Sequence, residues 1–281
     1  MMMGYKTILT VLSRPTQISL LDDAETLATR EDAHLDILCL GVDLSQAGYY
    51  FPGGTPYAFQ EALDAAMEDA EALEQKVRDH LASASDLRWS VDTAVVQMGG
   101  VTSLVGVKAR FSDLTVLSRP YAEDAPGEAE TVIEAALFEG GCPVLVLPKP
   151  GVPAQPPRRI LVAWNQSTEA LAAVRRALPM LQAADNVEIT IVNPRGGGPE
   201  GTDPGSALTR MLTRHGVHAE IAVLARTGSA ISEELDRRAA EIGAEMIVMG
   251  AYGHSRFREA ILGGATRNML EKATIPVFMA R

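Results

Sequence analysis

The chain repeats itself. "YKTILTVLSRPTQISLLDDAETLATREDAHLDILCLGVD" opens it at Tyr5, and "RRILVAWNQSTEALAAVRRALPMLQAADNVEITIVNPRG" begins again at Arg158, so that Ile8 and Ile160 correspond 152 positions apart. The closing segments correspond too, "SDLTVLSRP" with "AEMIVMGAY" and "GCPVLVLPKP" with "TIPVFMAR". At 281 residues each copy has ordinary domain size and can bury its own core. Between them "PKPGVPAQPPRR" (148–159) carries five prolines, a stiff linker with neither helix nor strand. Two domains are expected, 1–148 and 158–281, joined by 149–157.

Each copy alternates β-rich runs with amphipathic helical stretches as β-α-β-α-β-α-β-α-β. In the first copy strands are expected near 5–12, 35–41, 88–97, 113–118 and 143–148, with helices near 16–32, 57–83, 100–110 and 126–139. In the second, strands are expected near 159–164, 187–193, 218–225, 245–250 and 275–280, with helices near 168–183, 204–215, 228–242 and 258–272. Runs such as "MIVMG" and "PVLVLP" are apolar at every position, as strands covered on both faces must be. The class is α/β, with two doubly wound five-stranded parallel-sheet domains. In such sheets ligands sit at the carboxyl ends of the strands, where strand order reverses.

Composition removes several function classes. The net charge is −11. Residues 1–150 hold 10 basic against 23 acidic residues, and residues 151–281 hold 15 against 13. An acidic chain does not suit nucleic acid, and a small anion would prefer the second half. No run approaches the length of a transmembrane helix, and "MMMGYKTILTVLSRP" carries no signal-peptide pattern, so a cytoplasmic location is expected. Cys39 and Cys142, the two cysteines, lie in or beside β runs and read as small apolar residues.

The stretch "MGAYGHSRFREAILGGATRNML" (249–270) follows the fourth strand of the second copy. Gly250 and Gly253 remove side chains just past a strand end, allowing φ > 0 and close approach to backbone. His254, Arg256 and Arg258 add imidazole and guanidinium groups. Gly263, Gly264, Ala265 and Thr266 could present backbone N–H groups to an anion, with a hydroxyl beside them. The alternative is a turn and a helix cap with no ligand. No lysine follows the glycines, so this is not a P-loop.

The spacing G-x2-G-x9-G at Gly250, Gly253 and Gly263, after the fourth strand of a five-stranded α/β unit, resembles the nucleotide motif of the universal stress protein family. The resemblance covers both copies and implies a tandem universal stress protein with an adenine nucleotide alpha hydrolase-like fold and pseudo-twofold symmetry. It implies an adenine nucleotide in the second domain, with the adenine near Val192 and the phosphates near the glycines. Two positions depart from the family's ATP-binding pattern. Gly264 stands where a Ser or Thr is usual. Asn165, with Ser167 two residues on, stands where the first strand ends in aspartate, and an amide gives a bridging Mg no negative charge. AMP, ADP or weakly held ATP is the resulting expectation. In the first copy Ser118 and Tyr121 replace the first two glycines, Glu130 and Thr131 fall opposite the glycine pair, and Ser13, Arg14 and Pro15 end the first strand. That copy is expected to bind no nucleotide. Family dimers pair through their final strands, which places "PVLVLP" and "PVFMA" at an interface within a pseudo-dimer or a homodimer. The implied role is a stress-response sensor or regulator, not an enzyme, acting on an unknown protein partner. A nucleotide-free interaction protein is the alternative, and a slow ATPase a third reading.

Other features carry less. The aromatic loop "DLSQAGYYFPGGTPYAFQ" (43–60) either packs onto its domain or covers a small ligand. His215 and His218 lack further ligands for a metal. Thr227 or Ser229 reads as a helix N-cap, and Arg237–Arg238 as a solvated helix face.

Overall fold

The computed structural model describes residues 4–43, 56–84, 86–148, 155–193, 204–225, 230–252 and 264–281. They pack as two compact units, residues 4–142 and 143–281. The first unit contains β1 (Thr7–Leu12), α1 (Ile18–Glu31), β2 (His34–Asp43), α2 (Pro56–Leu81), β3 (Arg88–Gln97), α3 (Val101–Ala109), β4 (Leu114–Ser118) and α4 (Ala129–Phe138). Its strands run parallel in the order β3-β2-β1-β4.

The second unit contains β5 (Val144–Leu147), β6 (Arg159–Ala163), α5 (Thr168–Arg176), α6 (Leu178–Ala183), β7 (Asn186–Val192), α7 (Ser206–Arg214), β8 (Ala219–Leu224), α8 (Ile231–Ile242), β9 (Met246–Gly250), the helix Ala265–Lys272, here α9, and β10 (Val277–Ala280). Its parallel strands run β10-β9-β6-β7-β8. β5 joins antiparallel on β10, with Val146 opposite Val277. By sequence β5 closes the first repeat; by packing it belongs to the second unit. All four of its residues are buried, and it covers what would otherwise be an apolar edge strand.

Both units are doubly wound. In the second unit the chain steps from β6 to β7 to β8, then returns to the far side of β6 for β9 and β10. The switch point therefore lies between β6 and β9. Ile160, Leu161, Val162, Ile247 and Val248 are fully buried there, which explains why these strands are apolar throughout.

The helix expected over 168–183 is two helices, α5 and α6, meeting at Ala177. Pro179 lies in the first turn of α6; it has no N–H to bond backward, and its ring crowds the turn before it. The N-cap of α8 is Ala230, not the expected Thr227 or Ser229, and its N–H donates to Glu233 Oε2 at 3.4 Å; Thr227 and Ser229 themselves lie outside the described residues, as does the aromatic loop at 44–55. Arg238 does not face solvent as expected but turns onto the sheet, 2.6 Å from Glu188. Both cysteines are free and buried. Burial, with the Glu74 charge nearby, pushes the Cys39 thiol up to about 12. Among the described residues no helix is long and apolar enough to cross a membrane.

Candidate functional site

β9 ends at Gly250. A Cβ placed there would lie 2.5 Å from the backbone nitrogen of Ala170 and 2.7 Å from the carbonyl carbon of Glu169. The first turn of α5 thus rests directly on this residue, and only glycine lets it. Gly250 is not among the residues with positive φ, so close approach by the protein's own helix, rather than a left-handed backbone, is what glycine provides here.

The turn that leads from β6 into α5 is held by its own side chains. Asn165 Oδ1 accepts the Ser167 N–H at 3.1 Å, Gln166 has φ 63°, and Ser167 Oγ accepts the Ala170 N–H at 3.1 Å as the N-cap of α5. The Trp164 N–H donates to the Thr190 carbonyl at 2.9 Å, tying this turn to β7. The Trp164 side chain is buried. Val192 ends β7 opposite Leu224 of β8, and the next residue, Asn193, has φ 49° and donates to the Leu224 carbonyl at 2.8 Å.

Beyond β9, the Ala251 N–H bonds the Ala280 carbonyl at 2.9 Å. Tyr252, at φ 52°, donates its N–H to the Thr266 hydroxyl oxygen at 3.1 Å. Thr266 is buried at 3% exposure and lies in the first turn of α9, whose N-cap is Gly264. Gly264 is extended, at φ −63° and ψ 153°, and accepts the Asn268 N–H at 3.1 Å.

Of the expected site residues, the structure brings Gly250, Asn165, Ser167, Gly264, Ala265 and Thr266 to the carboxyl edge of the sheet at the switch point, with Val192 at the end of the neighbouring strand. Gly253, His254, Arg256 and Gly263 lie outside the described residues. Two helix N-termini, of α5 and α9, meet this edge, where their unpaired N–H groups and partial positive charge favour an anion. Tyr252 and Ala170, which shape the site, were not expected; no local pattern marks them, because each acts through a partner distant in sequence.

The site suits a divalent cation poorly at Asn165. A metal bridging phosphates takes hard anionic oxygen, and the Asn165 carboxamide oxygen is neutral and already accepts from Ser167.

The corresponding edge of the first unit is built differently. Gln17 Oε1 accepts the backbone N–H groups of Ser13 at 2.7 Å and Arg14 at 3.0 Å, so a side chain fills the turn after β1. The N-cap of α4 is Glu128, 5% exposed, where α9 has Gly264. Glu130, expected opposite the glycine pair, lies inside the first turn of α4. A cavity of about 20 Å³, lined in part by Ser13, Gln17, Ser118 and Glu128, remains between them.

A doubly wound α/β domain with glycines and two helix N-termini at its switch point is the class these residues define. Residues 157–281 match the family model described as "Universal stress protein family", and the domain they form is a member of that family. A curated relative, Universal stress protein Slr1230 of Synechocystis sp., is 24% identical over 237 residues, covering 82% of this chain and 80% of that protein. Among solved structures, a universal stress protein from Archaeoglobus fulgidus is similar in fold, with a TM-score of 0.73, 16% identity, and coverage of 98% of this chain and 96% of that one. A functionally unknown protein, PA1789 from Pseudomonas aeruginosa, has a TM-score of 0.62 at 14% identity, with coverage of 99% and 93%.

Proposed function

We propose that this chain is a tandem universal stress protein, a cytoplasmic stress-response regulator whose second domain binds an adenine nucleotide and whose first domain binds none. The observation that carries this reading is the Tyr252–Thr266 hydrogen bond, which ties the chain just past β9 to the first turn of α9, on the edge where the α5 N-terminus rests against Gly250. Phosphates at this edge would meet backbone N–H groups at the start of α9, and the adenine would lie over the end of β7 near Val192. Mg2+ is not required for such binding, and the amide at 165 favours AMP or ADP over Mg-ATP. In the first domain the Gln17 plug and the Glu128 carboxylate occupy the same place and disfavour phosphate.

A second reading has its own support. Asn165 Oδ1 and Thr266 Oγ1 are both engaged inside the protein, which leaves fewer side-chain acceptors for a ribose. On that reading the chain is a nucleotide-free interaction protein that works through strand pairing, as a pseudo-dimer or a homodimer, on a protein partner.

The test is mass spectrometry of small molecules released when freshly purified protein is denatured, with Gly253→Asp in parallel. An adenine nucleotide present in the wild type and lost in the variant supports the first reading. No nucleotide, and no heat on titrating ATP, ADP or AMP, supports the second. Steady phosphate release would instead make the domain a slow ATPase.

A further inference from the structure

At the opposite, amino end of the strands in the second unit, a cavity of about 310 Å³ is lined by Arg159, Asn186, Glu188, Glu220, Arg238 and Ile242. Strand register explains the set. Arg159 lies beside Asn186, and Glu188 beside Glu220. Partner positions in a parallel ladder share a face, and alternate residues along a strand share it too, so these four side chains stand on one face of three neighbouring strands. α8 packs on the same strands and brings Arg238 and Ile242.

The inner wall is a half-buried ion pair. Arg238 donates from Nε to Glu188 Oε1 at 2.8 Å and from Nη2 to Oε2 at 2.6 Å, and Thr190 Oγ1 donates to Oε1 at 2.9 Å. Arg238 Nη1 reaches Glu241 at 3.2 Å. These groups are consumed by one another. Among the described residues Arg159 uses only Nη1, on the Ile242 carbonyl at 3.2 Å. Among the described residues neither the Glu220 carboxylate nor the Asn186 side-chain amide has a protein partner. The cavity therefore offers one guanidinium edge, one carboxylate and one amide, with Ile242 as an apolar surface.

The lining carries two guanidinium groups and two carboxylates, so its charges cancel. A polyanion gains nothing here, and neither does a simple cation. Arg159 and Glu220 stand two strands apart, roughly 10 Å across the sheet at ~4.8 Å per strand, a gap that a small ligand carrying both signs can bridge. The volume lies at the lower end of the range for ligand sites, about 300–1,000 Å³, which suits a molecule of few heavy atoms.

We propose that this cavity binds a neutral α-amino acid as its zwitterion, with the carboxylate on Arg159, the ammonium on Glu220 and the side chain against Ile242 and Asn186. The first unit shows that the fold does not require such open groups. At the register-equivalent positions Thr7 lies beside His34, and Asp36 beside Ser90. There Ser90 Oγ donates to Asp36 Oδ1 at 2.6 Å and lies 3.2 Å from His34 Nε2, so the polar side chains satisfy one another. The proposal is independent of the nucleotide reading, since the two sites lie at opposite ends of the strands.

The experiment titrates the full chain with L-leucine and L-glutamine, followed by NMR shifts of the Asn186 side-chain amide and the Arg159 Nε–H. N-acetyl-L-leucine and L-leucinamide, each lacking one charge, serve as controls. Saturable shifts with a free amino acid at millimolar or lower concentration, weakened about tenfold or more by Glu220→Gln and by either blocked control, are expected. Glu220 is exposed and has no partner among the described residues, so Glu220→Gln should melt with the wild type; if Arg159→Gln loses stability through its bond to Ile242, Glu220→Gln alone decides. No saturable shift with either amino acid, or equal binding by the blocked controls, or an unchanged affinity in Glu220→Gln, overturns the proposal.

Discussion

A methyl group at position 250 would sit 2.5 Å from the amide nitrogen of Ala170. Gly250→Ala must therefore push the first turn of α5 away from β9, at a cost of about 1–3 kcal/mol, read as a lower denaturant midpoint with little change in slope. The same shift would displace Asn165 and Ser167, so under the proposed nucleotide-binding function this variant should also release less nucleotide on denaturation. Thr266 offers a sharper test of the tie between Tyr252 and α9. Thr266→Val keeps the shape but strips the Tyr252 N–H of its acceptor, and should cost about 1–3 kcal/mol; Thr266→Ser keeps the acceptor and should recover most of it. The sequence made glycine at 250 legible, through its spacing to Gly253 and Gly263. It did not make the reason legible, because the atom that excludes a side chain belongs to a residue in a different element.

A charge buried in a strand illustrates the same difference one level up. Glu188 sits inside the apolar run "VEITIV" with its side chain 11% exposed. Burial would raise its carboxyl, but hydrogen bonds from Arg238 and Thr190 hold it below the usual range. Glu188→Ala leaves Arg238 without its main partner and should destabilise by about 1–3 kcal/mol, less than a fully buried pair would, because the Arg238 side chain is 28% exposed and keeps Glu241. Since the folded-state value is depressed, this stability is present above the ordinary carboxylate value and is lost as pH falls through the folded one. The gap in unfolding free energy between wild type and Glu188→Gln should accordingly narrow on acidification. Asp236 has the opposite sign. Burial, and then the neighbouring Glu233, raise its carboxyl, so the folded chain favours the protonated form. Asp236→Asn should therefore raise the melting temperature at neutral pH and lose that advantage below pH 4. At this scale the order and approximate extent of the strands and most helices were readable from apolar periodicity. The division of α5 from α6 was open to view in Pro179. The inward turn of Arg238 was not, because its partner lies on β7 and adjacent arginines at 237 and 238 look alike in sequence.

The repeat and the proline-rich linker drew attention to two halves, yet the strand that ends the first half is hydrogen-bonded to the strand that ends the second. A fragment beginning at residue 155 would keep the five parallel strands of the second unit and leave β10 as a bare apolar edge. One beginning at 143 would retain β5. We expect the shorter fragment, which has lost the β5–β10 ladder, to unfold at a lower denaturant midpoint than the longer one. Equal midpoints would mean that β5 does not stabilise this edge. Sequence alone suggested that the final strands pair, through family resemblance, but periodicity is silent on which strand accepts which; that choice is made by geometry far from either segment.

The β5–β10 pair also sets an order of events during synthesis. β5 is synthesised before β10, with the four strands β6 to β9 coming between them. Until Val277–Ala280 emerges, the nascent chain must carry the segment "VLVL" without that partner. A chain cut short before Val277 would thus lack β10 and also leave β5 without this partner, a form that chaperones and proteases can recognise.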